Sequence, residues 1–181
     1  MRLDPIEIHP YDLRWAQSFV DQSARLHAVL SPWLLAPVEH IGSTSIPGMS
    51  AKPIIDMLAL VSDWKSFSSG IDDLASIGWI HAPEPGDWDQ RKWSICFPSI
   101  EHRTHHLHVV EHESPDWSDW LLFRDYLRSH ETAMERYADV KRRLAASDNT
   151  NRLSYRAGKA PLIGELMEEA RAWQDLQGAR E

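Results

Sequence analysis

Cysteine is almost absent from the sequence: Cys96 is the single one in 181 residues, which excludes an internal disulfide. It sits in the apolar stretch Trp93-Ser94-Ile95-Cys96-Phe97, where a buried structural thiol in a reducing, cytoplasmic setting is expected. Long hydrophobic runs are missing too. No window reaches the ~20 apolar residues of a membrane helix, and residues 1–5 have no apolar signal-peptide core, so a protein without a membrane partner is expected. Positive charge is scarce: Lys+Arg number 19 against 27 Asp+Glu, a formal charge of −8. The broad basic surface that duplex nucleic acid requires is therefore lacking, and a small ligand or a protein is the expected partner. Repeats and low-complexity tracts are absent as well, which excludes solenoid architectures.

Aromatic and imidazole groups, by contrast, are plentiful, with nine tryptophans and ten histidines. Large aromatics stabilise a fold mainly through the area they bury, so most of the tryptophans are expected in the core. Trp88 and Trp93 flank the polar loop 85–91 and are the two read as walls of a ligand pocket. The length suits one domain with a sizeable core, residues 1–181.

Apolar residues recur at helical spacing from Leu13 to Leu30, after a capping Asp12. Strands are expected at Val38–Ile41 and Ile54–Val61, then a helix from Asp63 or Trp64 to Ile77 that Gly78 ends. Further strands are expected at Trp79–Ala82, Lys92–Phe97 and Arg103–Glu111. From Asp116 the pattern is helical over Trp117–Ser129, Glu131–Ala146 and Leu153–Leu176, with a frayed end over 177–181. A strand-rich core (about 35–112) followed by a helical part (about 116–177) predicts an α/β (α+β) class: a mixed sheet flanked by helices, with a helical C-terminal third.

One stretch reads as a site. Between a strand and a helical turn the chain runs Ile41-Gly42-Ser43-Thr44-Ser45, and it re-enters a strand at Lys52. Gly42 permits a sharp turn and close approach to a ligand, while Ser43, Thr44 and Ser45 put hydroxyls and amide N–H groups at a helix start, an arrangement suited to phosphate. Asp56 follows inside an apolar run, a carboxylate on a buried strand within reach of a metal ion. Lys52 lies inside this stretch. Arg91, Lys141 and Lys159 are further cations for phosphates, though each alone reads as a surface charge.

Thr104-His105-His106-Leu107-His108-Val109-Val110-Glu111 alternates as a strand, with Leu107 and Val109 facing the core and His106 and His108 the opposite side. If Asp56 lies on a neighbouring strand, the trio is a two-histidine, one-carboxylate set for a divalent metal. Protonated histidines that counter phosphate charge without a metal are the other reading. Glu111, on the His105 face, ranks below the histidines as a second carboxylate.

The segments HIGSTSIPGMSAKPIIDM (40–57), HLHVVE (106–111), FRDYLRSH (123–130), ERYADVKRRLA (135–145) and YRAGKAPLIGELMEEA (155–170) together resemble the GrpB family, also called UPF0157, a domain fused to some dephospho-CoA kinases. The likeness runs from about Tyr11 to Trp173. It implies a nucleotidyltransferase-like fold, in which a Gly-Ser turn (here Gly42 and Ser43) holds nucleotide phosphates and paired carboxylates hold metal ions for in-line attack on the α-phosphate. Asp56 matches one carboxylate, but the positions two residues away are Ile54 and Leu58, both apolar. His106 and His108 occupy the later strand where that superfamily has its third acid. The resemblance implies nucleotidyl transfer to an acceptor with a divalent metal (Mg, Mn or Zn), Gly42 and Ser43 on the phosphates and Asp56 as a catalytic, metal-holding residue; the residue pattern itself adds Lys52 as a catalytic cation and Thr44, Ser45 and Arg91 on the phosphates. The alternatives are a noncatalytic nucleotide- or coenzyme-binding module, a metal-dependent phosphoester hydrolase using Asp56, His106 and His108, or a scaffold with a relict fold.

Overall fold

The computed structural model describes residues 5–179, so the expectations for the first four residues and for the last two of the frayed end lie outside the described residues. Along the chain run α1 (Arg14–Leu30), β1 (Glu39–Ile41), β2 (Ile55–Val61), α2 (Gly70–Ser76), β3 (Ile80–His81), β4 (Lys92–Phe97), β5 (His105–Glu111), α3 (Pro115–Ser129), α4 (Glu131–Ser147) and α5 (Arg152–Gly178). The strands form one sheet in the order β1-β2-β5-β4-β3. Only β2 and β5 run parallel, and the other pairs are antiparallel. This is the mixed α/β architecture with a helical last third that the sequence pattern predicts.

The expected helix over 63–77 is the main departure. Its first half is a 3₁₀ turn at Ser66–Ser69, and only Gly70–Ser76 is α-helical. The carboxylate of Asp63 accepts from both the amide and the hydroxyl of Ser66, at 2.7 Å each. Serines compete for backbone groups in this way and disfavour a helix interior, so the cluster at 66–69 holds the chain in a turn. Asp12 does cap the start of α1, where its carboxylate accepts from the Arg14 amide at 2.9 Å. No helix among the described residues is long and apolar enough to cross a membrane.

Strand alternation divides the sheet into two unlike faces. Met57, Ala59, Leu107, Val109 and Ile95 are fully buried on one, under Leu26 and Leu30 of α1 and Leu74 of α2. Burying each large apolar side chain of this kind contributes about 1.5–3 kcal/mol, so this layer dominates stability. On the other face, Ile41, Leu58 and Val110 pack beneath Trp117, Trp120 and Leu121 of α3. Asp56 and His106, near the starts of β2 and β5, border a cavity there. The helical third builds a second core from Tyr126, Leu127, Ala133, Tyr137, Leu166 and Ala170, and Ile46 and Met49 from the segment after β1 enter it. The Gly-Ser turn is thereby wedged between the sheet and the helices.

Candidate functional site

The turn between β1 and β2 depends on Gly42. Its backbone sits at φ +69°, ψ −176°, a region essentially reserved for glycine, and a Cβ there would lie 2.5 Å from Asp56 Oδ2. The missing side chain is what allows the carboxylate to lie against the turn. Ser43–Ser45 then form one 3₁₀ turn. The Ser45 hydroxyl donates to the Gly42 carbonyl at 2.6 Å, and the Thr44 hydroxyl donates to the Ile54 carbonyl at 3.1 Å, tying the turn to the entry of β2. His40 Nε2 lies 3.1 Å from the same Thr44 hydroxyl, and its ring stacks on Phe19 with centroids 4.7 Å apart. Burial, with Arg128 and Arg124 nearby, pushes His40 down to about 4, so it braces Thr44 as a neutral ring. From α3, Arg128 donates twice to the Ser45 carbonyl, at 3.0 and 2.8 Å.

Of the predicted phosphate group, Gly42, Ser43 and Thr44 line the cavity, but Ser45 does not. Its hydroxyl closes the turn instead. Arg91 is not brought to the cavity either. Its guanidinium donates to Glu111 at 3.0 Å, and Glu111 projects from the opposite face of β5 to His106 and His108. Because that pair is largely exposed on the arginine side, Arg91→Ala is expected to change stability by no more than about 1 kcal/mol. Urea melts of the variant should overlay those of the wild type within that margin. Trp88 and Trp93 likewise stay out of the cavity. Trp93 donates its indole N–H to the Trp64 carbonyl at 2.7 Å, and Trp88 is 74% exposed with its edge against Trp64.

The register of the parallel pair brings the predicted trio together. Asp56 is directly opposite His106, and His106 Nδ1 lies 3.7 Å from Asp56 Oδ1. The rings of His106 and His108 are 4.0 Å apart. One donor atom from each of Asp56, His106 and His108 lies within 4.8 Å of the other two. Ligands of a tetrahedral ion with bonds of about 2.1 Å stand roughly 3.4 Å apart, so small side-chain rotations suffice to close the set. Among the described residues His108 Nδ1 is buried without a hydrogen-bond partner. Burial holds its imidazole well below the usual histidine range, and the Trp120 ring lies 4.7 Å away. A neutral imidazole with an orphaned nitrogen is the form that coordinates a metal, and two histidines with one carboxylate suit a divalent transition ion. The second carboxylate of the nucleotidyltransferase pattern has no counterpart on β2, since Leu58 is fully buried beneath α3.

The cavity, about 650 Å³, has a wall that the linear pattern does not reveal. Lys52, Lys92, Arg103, Arg124, Lys141, Arg152, Arg156 and Lys159 line it, eight cations against the two carboxylates Asp56 and Glu84. Lys141 and Lys159, read from sequence as surface charges, belong to this wall; Lys141 is only 3% exposed. Its ammonium donates to the Ser50 carbonyl at 2.7 Å and lies over the Tyr137 ring. Burial, aided by Lys159, Arg142 and Lys52, pushes Lys141 down to about 7. Burial also draws Lys159 down, against the pull of Asp56. Lys52 and Lys159 both approach the Tyr155 ring, at 4.9 and 4.7 Å. Glu84, in the loop after β3, binds Arg103 at 3.2 Å and Arg156 at 2.7 Å. Burial raises its carboxyl, but Arg156, together with His108 and Arg103, outweighs this and holds it below the usual carboxylate range. Arg103 Nε is buried without a hydrogen-bond partner among the described residues. Clustered, partly desolvated cations of this kind match a ligand with several negative charges. The spacing of Arg152, Arg156 and Lys159 along α5 is a one-face helical stripe that the sequence does display.

The GrpB protein family model matches residues 5–169. The UPF0157 protein YqkA of Bacillus subtilis is 37% identical over 169 residues, 93% of this chain and 48% of that protein, so this chain spans about half the length of that relative. The UPF0157 protein BH1888 of Halalkalibacterium halodurans is 33% identical over 174 residues, covering 92% of this chain and 83% of that protein. The crystal structure of the conserved protein GrpB from Enterococcus faecalis superposes with a TM-score of 0.81 at 28% identity, over 92% of this chain and 99% of that one. The turn, the strand histidines and the helical third as far as residue 169 lie within the matched residues, and the chain belongs to the GrpB family.

Proposed function

We propose that the cavity binds the phosphates of a nucleoside triphosphate beside a divalent metal and transfers the nucleotidyl group to an acceptor. The observation that carries this reading is the concentration of eight cations around the Asp56, His106 and His108 set in a chain whose net charge is −8. In this reading Asp56, His106 and His108 hold the ion, which supplies Lewis-acid polarisation of a phosphoryl oxygen. Ser43 and the neighbouring turn amides receive a phosphate at the Gly42 bend. Lys52, Lys141 and Lys159 face the charge that develops on the departing pyrophosphate, with Lys52 as the catalytic cation. Desolvation in the cavity strengthens each of these contacts. The buried thiol of Cys96 supports work in a reducing cytoplasm.

The apolar Ile54 and Leu58 beside Asp56 favour a second reading, a metal-dependent phosphoester hydrolase or a noncatalytic nucleotide or coenzyme module, since one carboxylate is a poor anchor for two ions. One experiment separates the readings. A panel of nucleoside triphosphates with Mg²⁺, Mn²⁺ or Zn²⁺ is expected to raise the thermal midpoint; at 100 Kd the gain is about 2.7 kcal/mol, roughly 5–11 °C for a chain of this size. Asp56→Ala and Ser43→Ala should each abolish or shrink that rise. Release of pyrophosphate marks transfer, release of orthophosphate marks hydrolysis, and a shift with neither marks a binding module. Absence of any shift across the panel would discard all of them.

A further inference from the structure

His106 stands between two carboxylates. Its Nδ1 faces Asp56 Oδ1 at 3.7 Å, and its Nε2 faces Glu84 Oε1 at 3.9 Å. A histidine that ligates a metal through one nitrogen commonly presents its other N–H to a carboxylate, which fixes the ring and raises its basicity. Glu84 comes from a different element, the loop after β3, and its oxygens are engaged by Arg103 and, from α5, Arg156. The same carboxylate therefore reaches both His106 and the cationic wall.

We propose that Glu84 is the positioning residue for His106, its Oε1 accepting the Nε2–H so that Nδ1 turns to the ion with Asp56, and that Arg156, bonded to the other oxygen Oε2, draws the carboxylate away from His106. The proposal rests on the reading of Asp56, His106 and His108 as a metal set. A phosphate that engages Arg156 loosens its hold on Glu84 and frees the carboxylate for His106. Anion and metal thus bind cooperatively, and by thermodynamic linkage each tightens the other equally. Glu84 supplies no charge to the reacting atoms, and it acts through the imidazole.

Titration with Co²⁺, read by its visible absorption bands, tests this on the intact chain. Glu84→Gln keeps the side-chain shape and should lower Co²⁺ affinity roughly 10- to 100-fold with shifted bands, while far-ultraviolet circular dichroism stays that of wild type. Arg156→Met, at a side chain 58% exposed, should tighten Co²⁺ binding by several fold. Part of that gain is simple removal of a positive charge, so the double variant decides: the gain from Arg156→Met should shrink by at least half once Glu84 is Gln. An undiminished gain in the double variant, or wild-type affinity in Glu84→Gln, overturns the proposal. Failure of the wild-type chain to bind Co²⁺ would instead overturn the metal set itself.

Discussion

Gly42→Ala is expected to destabilise the fold by about 2–4 kcal/mol and to abolish metal binding, because two independent penalties meet at one atom. The backbone at φ +69° and ψ −176° is strained for any L side chain. The new Cβ, 2.5 Å from Asp56 Oδ2 and 2.9 Å from Asp56 Cβ, also forces β2 or the turn to shift. Neither neighbour yields easily. Asp56 is fixed by its register with His106 and Ile41, and the turn is held by Thr44, Ser45 and the two Arg128 bonds. For a chain of this size the melting midpoint should fall by roughly 4–16 °C. Co²⁺ titration of the folded variant well below that midpoint separates the two effects. A variant that melts low but binds metal like wild type would show that the turn relaxes away from Asp56, and that the close approach is not needed by the site.

Lys141→Met is expected to do the opposite to stability while disabling the cavity. Burial holds Lys141 at about 7 against an ordinary value of 10.5. The unfolded chain therefore keeps this proton more strongly than the folded one does. Stability contributed by this group accordingly rises with pH between about 7 and 10.5, and its destabilising effect is fully present below 7. Methionine fills similar space without the charge; it leaves the Ser50 carbonyl without its donor, which costs about 1 kcal/mol. The net result expected in urea melts at pH 6 is a gain of about 1–2 kcal/mol. The wild type should approach the variant as the pH is raised to 9, since the folded lysine is then neutral. Nucleotide binding should weaken by about 2–5 kcal/mol, 30-fold or more, because a buried phosphate contact loses its cation. Binding to the wild-type chain should also take up a proton above pH 7, as the phosphate restores the charge on Lys141. Unchanged affinity in the variant would remove Lys141 from the ligand wall and leave it as a structural lysine.

Charges like these explain why one part of the site is legible from the chain and another is not. Gly42, Asp56, His106 and His108 are legible because each is set by local rules: a turn residue between two strands, a carboxylate in an apolar run, and alternation that puts His106 and His108 on one face. Arg91 misleads because its position in a Pro- and Gly-rich loop is polar and open to many partners, and the nearby buried Glu111 captures it. Trp88 and Trp93 mislead for a related reason, since their loop folds against Trp64 on the core face of the sheet. Glu84 and Arg103 carry no local mark, and the one-face stripe of Arg152, Arg156 and Lys159 does not say what it faces. Their spacing along the chain says nothing about the cavity, which exists only once α5 packs beside the sheet.

From the sequence alone follow the α/β class, the turn that needs glycine, and the face that His106 and His108 share, because strand alternation and turn stereochemistry act over a few residues; the pairing of β2 with β5 is what puts Asp56 opposite His106. Tertiary structure decided what surrounds that face. Packing of α3, α4 and α5 against Ile46 and Met49 sets Lys141 and the α5 cations around the cavity. The same packing strips water from Lys141 and so gives it a lowered proton affinity. Neither effect is a property of a residue's neighbours in sequence, since each depends on which distant groups share a low-dielectric space.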